Sequence, residues 1–234
     1  MSPAPQLPLA LRYPPDQRLE TFVAPPPGAL AQLQALAGAD GAAADWIYLA
    51  GPAGVGKTHL ALATCAAAEA AGRGAAYVPL KAAAGRLRDA LDAFDDRALV
   101  ALDGLDAIAG NRDDEVALFD FHNRARAAGA GVLYTASVAP DALALSLPDL
   151  RSRLSQCARI VLSPLDEQAR REVLRERARR RGLSLDEASI DWLLRRRGRD
   201  LATLTGLLDV LDRASLAAQR RITVPFLREA LGEK

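Results

Sequence analysis

Gly51-Pro52-Ala53-Gly54-Val55-Gly56-Lys57-Thr58 satisfies every fixed position of the Gly-x-x-x-x-Gly-Lys-Thr phosphate loop, and its flanks agree with it. The residues before it, Trp46-Ile47-Tyr48-Leu49-Ala50, are apolar and β-prone, the make-up of a short buried strand. After it, His59 to Ala71 is rich in Ala and Leu and free of breakers, which predicts a helix. Strand, glycine loop and helix in this order turn backbone N–H groups onto phosphate oxygens, and the positive helix end adds to the attraction. Lys57 is then placed to reach the β- and γ-phosphates, and Thr58 to set its hydroxyl on Mg²⁺. The pattern predicts a nucleotide cofactor, ADP or ATP, among Gly51, Pro52, Ala53, Gly54, Val55, Gly56, Lys57, Thr58 and His59. A glycine-rich turn that binds nothing is the plain alternative, and the agreement of motif and flanks speaks against it.

Strands and helices alternate on either side of the loop. Strands are expected at Trp46–Ala50, Ala75–Leu80, Leu99–Leu102, Gly131–Ala136 and Arg159–Leu162, with helices near 29–38, 57–71, 82–93, 113–128 and 148–156. That alternation predicts an α/β core, a parallel five-stranded sheet with helices on its faces. After Ser163-Pro164 only helical pattern remains, near 166–181, 186–197, 200–219 and 223–232, with Gly182 and Gly198 as stops and Asp186, Asp200 and Thr223 as caps. Residues 1–28 are Pro-rich and aperiodic, which predicts an extended arm. Three regions follow: an arm at 1–28, the phosphate-loop core at 29–164 and a small all-α lid at 165–234.

The chain's 234 residues are half apolar and a quarter charged, ordinary for a soluble globular protein. A net charge of +1 gives no global pull toward DNA or membrane. Residues 165–234 carry 16 Lys and Arg against 12 Asp and Glu, an excess that solvated helix faces account for. Cys65 and Cys157 are too few for a disulfide framework and lack metal-ligand spacing. No segment reads as a leader or a membrane span, so the expected location is the cytoplasm.

Leu99-Val100-Ala101-Leu102-Asp103 is an apolar strand ending in a carboxylate, placed one strand beyond the phosphate loop. Asp103 there can hold the Mg²⁺ shell together with Thr58. Position 104 is Gly, where hydrolytic nucleotide sites carry a second acid to activate water, and Asp106 is the nearest carboxylate. Rapid turnover by this chain alone is therefore not expected.

With the helical lid behind them, Gly51–Thr58 followed by His59-Leu60 and Ala101-Leu102-Asp103-Gly104-Leu105-Asp106 resemble the AAA+ module of the DnaA replication initiators. Within that clade the chain is similar to the short Hda-type paralogues, regulatory inactivators of DnaA. Three stretches carry that finer likeness: Leu118-Phe119-Asp120-Phe121-His122-Asn123-Arg124, Leu147–Leu154, and Leu211–Ser215 with Ala218-Gln219-Arg220. The resemblance implies that Arg153 is an arginine finger, a guanidinium that reaches a nucleotide held by a neighbouring protomer. The plain reading is an Arg153–Asp149 pair one helical turn apart, and Arg151 is a rival finger. Gln6-Leu7-Pro8-Leu9-Ala10-Leu11 resembles the clamp-binding motif of such paralogues, with Gln6, Leu7, Leu9 and Leu11 as contacts for the β subunit of the polymerase III sliding clamp. Ala10 departs from that pattern, which often has Pro there.

The family's nucleotide-reading positions also depart. Ala202 stands where the sensor 2 arginine is expected, leaving Arg199 as a substitute one turn earlier, and Thr135 or Ser137 stands in for the acidic sensor 1 residue. The resemblance implies DnaA as partner, allows a homodimer, and gives a nucleotide-holding regulator rather than a motor. No residues after the lid remain for a helix-turn-helix domain, so sequence-specific duplex binding is not expected. A helicase loader that grips single-stranded DNA and the replicative helicase would share this fold, and an autonomous ATPase is the third reading. Phe22 and Trp46 are open as base-pocket residues.

Overall fold

Strand residues alternate between two buried faces, and this alternation sets the layers. A computed structural model describes residues 17–38, 46–196 and 222–230, together with Leu208 and Leu211. Five strands, β1 Ile47–Ala50, β2 Ala75–Pro79, β3 Leu99–Asp103, β4 Gly131–Ala136 and β5 Ala158–Val161, form one parallel sheet in the order β2-β3-β4-β1-β5. Tyr48, Val78, Val100, Leu102, Val132 and Tyr134 face one side. There they pack on α3 (Leu80–Ala83), α4 (Leu87–Asp92), α5 (Arg112–Ala127) and α6 (Pro148–Ser155). Ile47, Leu49, Leu99, Ala101 and Leu133 face the other, against α1 (Ala29–Ala37) and α2 (Lys57–Ala70). This is the expected parallel α/β core, with both faces covered.

A separate apolar cluster builds the lid: Leu174 and Ala178 from α7 (Glu167–Arg180), Ile190 and Leu193 from α8 (Glu187–Arg196), and Phe226 and Leu227 from the helix Val224–Ala230. Leu208 and Leu211 join it, while most of the helix expected over 200–219 lies outside the described residues. Asp166 caps α7 by accepting from the Ala169 N–H at 2.7 Å.

Two elements differ from expectation, for identifiable reasons. The helix expected over 82–93 is two short helices, broken at Ala84-Gly85, where Gly85 has φ +80°. Asp114, on α5, accepts from the Gly85 and Leu87 N–H groups at 2.7 and 3.2 Å, so a distant carboxylate stabilises the break. The Pro-rich stretch 17–28 is not wholly extended. Leu19–Thr21 form a 3-10 turn, and Leu19 is buried in the cluster that holds Leu33 and Leu60. One well-placed leucine outweighs the local bias of the prolines.

Candidate functional site

The sheet has two chemically different ends, and the predicted residues divide between them. The Gly51–Thr58 loop leaves β1 at the C-terminal end of the strands, the edge where open α/β sheets bind ligands. A Cβ on Gly51 would lie 2.4 Å from the Leu162 carbonyl oxygen, so the chain leaving β5 leaves room for no side chain there. A Cβ on Gly56, at φ +97°, would meet the Phe22 ring at 2.6 Å. The loop is thus shaped by close approach on both sides, and α2 starts at Lys57 with its N–H groups at the loop.

Four hydroxyl and carboxyl side chains converge behind it. Asp103 Oδ2 accepts from the Thr58 hydroxyl at 2.7 Å and from the Tyr77 phenol at 2.8 Å, and its Oδ1 accepts from the Thr135 hydroxyl at 2.5 Å. Thr135 Oγ1 in turn accepts from the Gly104 N–H at 2.9 Å. Register explains the convergence: Tyr77 pairs with Ala101 and Ala101 with Leu133, so Tyr77, Asp103 and Thr135 stand on one face. Burial, reinforced by the Asp103 carboxylate, pushes the Tyr77 phenol well above its ordinary pKa, so it remains a donor. Lys57 Nζ donates to the Gly51 and Pro52 carbonyls at 2.5 and 2.8 Å. Partial burial lowers its pKa against the opposing pull of Asp106 and Asp103. Asp106 turns to Ser137, accepting from its N–H at 2.9 Å and from its hydroxyl. Of the two sensor 1 substitutes, Thr135 touches Asp103 and Ser137 touches Asp106.

A cavity of about 360 Å³ opens beside the loop, lined by Phe22, Val55, Val161, Leu162, Pro164 and Ala169 among others. Its size and apolar walls suit a small planar ligand part. Phe22 is therefore in this wall, whereas Trp46 is buried near the opposite end of the sheet, donating from Nε1 to the Ala130 carbonyl at 2.9 Å. The group implied by the motif fits these residues. A loop closed to a Cβ at Gly51 and Gly56, a helix N-terminus and Lys57 suit phosphates, while Thr58 and Asp103 supply hard oxygen donors for Mg²⁺.

His59 is buried, and both ring nitrogens are engaged by protein atoms. Nε2 lies 3.0 Å from the Arg18 carbonyl and 3.3 Å from Thr21 Oγ1, and Nδ1 lies 3.3 Å from Arg177 Nη2.

Arg153 is at the other end. It sits in the last turn of α6, before β5 begins, and β5 runs parallel to β1, so it lies off the N-terminal edge of the sheet, away from the chain's own phosphate loop. It forms no ion pair with Asp149, and among the described residues no carboxylate neutralises it. The rival Arg151 is committed elsewhere, with Nη2 donating to the Leu145 carbonyl. Gln6, Leu7, Leu9, Leu11, Arg199 and Ala202 lie outside the described residues. Sequence reasoning missed Tyr77. Its place two residues before the end of β2 is a signal only once the register to β3 is known.

Two family models match the chain. Residues 47–137 match the ATPase family associated with various cellular activities, and residues 166–231 match the Hda lid domain. Among solved structures, domain III of the Thermotoga maritima replication initiation protein DnaA aligns with TM-score 0.78 at 18% identity, over 94% of this chain and 97% of that one. AMPPCP-bound DnaA from Aquifex aeolicus aligns with TM-score 0.70 at 20% identity, over 86% of this chain and 66% of that one. The RuvB Holliday junction branch migration motor of Thermotoga maritima aligns with TM-score 0.64 at 16% identity, over 94% and 72%. At such identities these likenesses establish the AAA+ fold. The helical lid carries the finer distinction.

Proposed function

An AAA+ protein whose lid matches the Hda model is an Hda-like relative of the DnaA initiators, and from that premise we propose that this chain is a trans-acting regulator of DnaA. In this reading it holds a nucleotide, ADP with Mg²⁺, as a structural cofactor and presents Arg153 to the ATP bound by DnaA. The placement of Arg153 carries the reading. A guanidinium off the N-terminal edge of the sheet, unneutralised by Asp149, is badly placed for the chain's own phosphates and well placed for another molecule's.

Gly51–Thr58 and His59 border the phosphates, and Thr58 and Asp103 hold the metal. Thr135 and Arg199 complete the nucleotide surroundings. When bound, Mg²⁺ neutralises phosphate charge. Tyr77, Thr135 and Thr58 meanwhile occupy the Asp103 carboxylate, and Gly104 offers no base to draw a proton from water. The chain's own site is thus suited to retention. Gln6, Leu7, Leu9 and Leu11 tether the protein to the sliding clamp on DNA, which raises its local concentration at newly replicated template. A homodimer would keep Arg153 engaged until DnaA replaces the second copy. The protein acts in the cytoplasm.

The test is single-turnover hydrolysis of DnaA-bound ATP with clamp-loaded DNA. Arg153→Ala is expected to remove the stimulation, by about 10³–10⁵ where the finger acts fully, while ADP binding by the variant stays unchanged. Stimulation that survives in the folded variant sinks the assignment. Leu7→Ala with Leu9→Ala tests the tether separately, through loss of clamp capture.

A further inference from the structure

The hydrogen bonds of His59 fix its tautomer and join three parts of the molecule. The Arg18 carbonyl can only accept, so Nε2 carries the proton and donates to it at 3.0 Å. The Arg177 guanidinium can only donate, so Nδ1 is the bare nitrogen that accepts at 3.3 Å. Thr21 closes the arrangement: its hydroxyl donates to the Arg18 carbonyl at 2.8 Å, and its oxygen lies 3.3 Å from Nε2. One neutral imidazole on α2 therefore holds the 3-10 turn 19–21 on one side and the lid helix α7 on the other. It does so one residue past the proposed metal ligand Thr58.

The elements it joins are also the walls of the cavity. Phe22, directly after the turn, lines it from one side, with its ring 5.5 Å from the His59 ring and against Gly56. Asp166 and Ala169, at the start of α7, line it from the lid side. A ligand seated there touches both walls, and His59 hydrogen-bonds to the segment behind each of them.

We propose that His59 is a positioning residue that couples nucleotide occupancy to the arm root at residues 18–22, so that filling the cavity immobilises this segment against the core. This rests on the reading that the phosphate loop binds a nucleotide. Arg18 supplies the readout, because trypsin cleaves after it only when its carbonyl leaves His59 and Thr21. Proteolysis then follows the population of the opened segment.

The experiment is limited trypsinolysis of the full chain with and without ADP–Mg²⁺, scoring the new N-terminus at Leu19 by mass spectrometry and measuring ADP affinity in parallel. ADP is expected to slow this cleavage roughly tenfold in the wild type. Arg177→Met is expected to abolish the protection while ADP affinity is kept, and His59→Ala to abolish it at an ADP concentration raised to saturate whatever affinity that variant retains. His59→Gln, which keeps one of the two bonds, is expected to restore part of it. If ADP protects Arg18 equally in folded His59→Ala or in Arg177→Met, the coupling is refuted. Should His59→Ala fail to fold, the half-exposed Arg177 decides the matter. A wild type that binds no ADP overturns the nucleotide reading itself, an outcome distinct from binding without protection.

Discussion

At the C-terminal end of the sheet Lys57, Asp103 and Asp106 all have protein partners; at the N-terminal end Arg126 and Arg153 have, among the described residues, no partner of opposite charge. Lys57 lies on the loop carbonyls, Asp103 among three hydroxyls and Asp106 on Ser137. Across the sheet Arg126 stands over the Trp46 ring at 5.6 Å, and Arg153 lies near the neutral imidazole of His122. Polar groups that satisfy one another make a closed, preorganised cradle. Cations kept apart from carboxylates hold their charge for an anion that arrives from outside. The same fold thus offers a receptor at one end and a donor of positive charge at the other.

The receptor end breaks hardest at Gly51. Gly51→Ala places a Cβ within 2.4 Å of the Leu162 backbone oxygen, and backbone cannot rotate out of the way as a side chain would. Relief requires β1 and the end of β5 to part, at a cost of about 3 kcal/mol. The expected result is a fall in the urea midpoint together with loss of nucleotide binding in calorimetry. Unaltered ADP affinity in this variant would mean that the loop conformation is not what holds the ligand.

Legibility in the sequence follows the same divide between local and distant causes. The loop, the five strands and the start of the lid were readable because each depends on residues adjacent in the chain. Arg153 was marked by family likeness, yet only the fold separates it from Arg151, whose bond to Leu145 depends on a loop that no periodicity describes. That loop is set by Glu115, buried on α5, which accepts from the N–H groups of Gly110, Ser146 and Leu147 and from the Ser146 hydroxyl. Likewise Asp114 breaks the helix expected over 82–93 from nearly thirty residues away. Both acids look like ordinary first-turn residues of α5, and nothing local tells a helix-dipole role from a loop staple.

The donor end can be sharpened by acid. His122 is buried, with Nδ1 2.9 Å from the Tyr134 phenol and its ring edge-on to Trp46 at 4.5 Å. Burial first, then the guanidiniums of Arg153 and Arg126, push its pKa down to about 4. Above about pH 6.5 the imidazole is neutral in both folded and unfolded chains, and its full contribution is present. As pH falls below that, the unfolded chain takes up a proton that the fold refuses, and about 2 kcal/mol is lost by pH 5. Glu115 does not confuse this window. Although burial opposes it, the hydrogen bonds from Ser146, Gly110 and Leu147 hold its carboxyl below the ordinary value, so its loss comes at lower pH. Urea unfolding at pH 7 and pH 5 should show a loss smaller by about 2 kcal/mol in His122→Gln than in wild type. Equal slopes in the two proteins would remove His122 from the account of this end.

The smallest expected effect tests whether the receptor end is as closed as its bonds imply. Tyr77→Phe removes one of three hydroxyls on Asp103 while keeping the ring, half-buried against the α2 side of the sheet. The carboxylate retains Thr58 and Thr135, so no charge is left stranded, and the loss is that of one hydrogen bond to a charged group, about 1.5 kcal/mol. Thermal melts in the absence of nucleotide should record it as a modest fall in Tm. With Mg²⁺ and ADP the fall should be partly recovered, because a carboxylate relieved of Tyr77 is freer to serve the ion. An equal fall with and without Mg²⁺ would place Tyr77 in the core's packing alone and leave Asp103 held by two hydroxyls. A fall that Mg²⁺ and ADP reverse would make Tyr77 a restraint on the carboxylate, and the closure of this end a property that binding partly undoes.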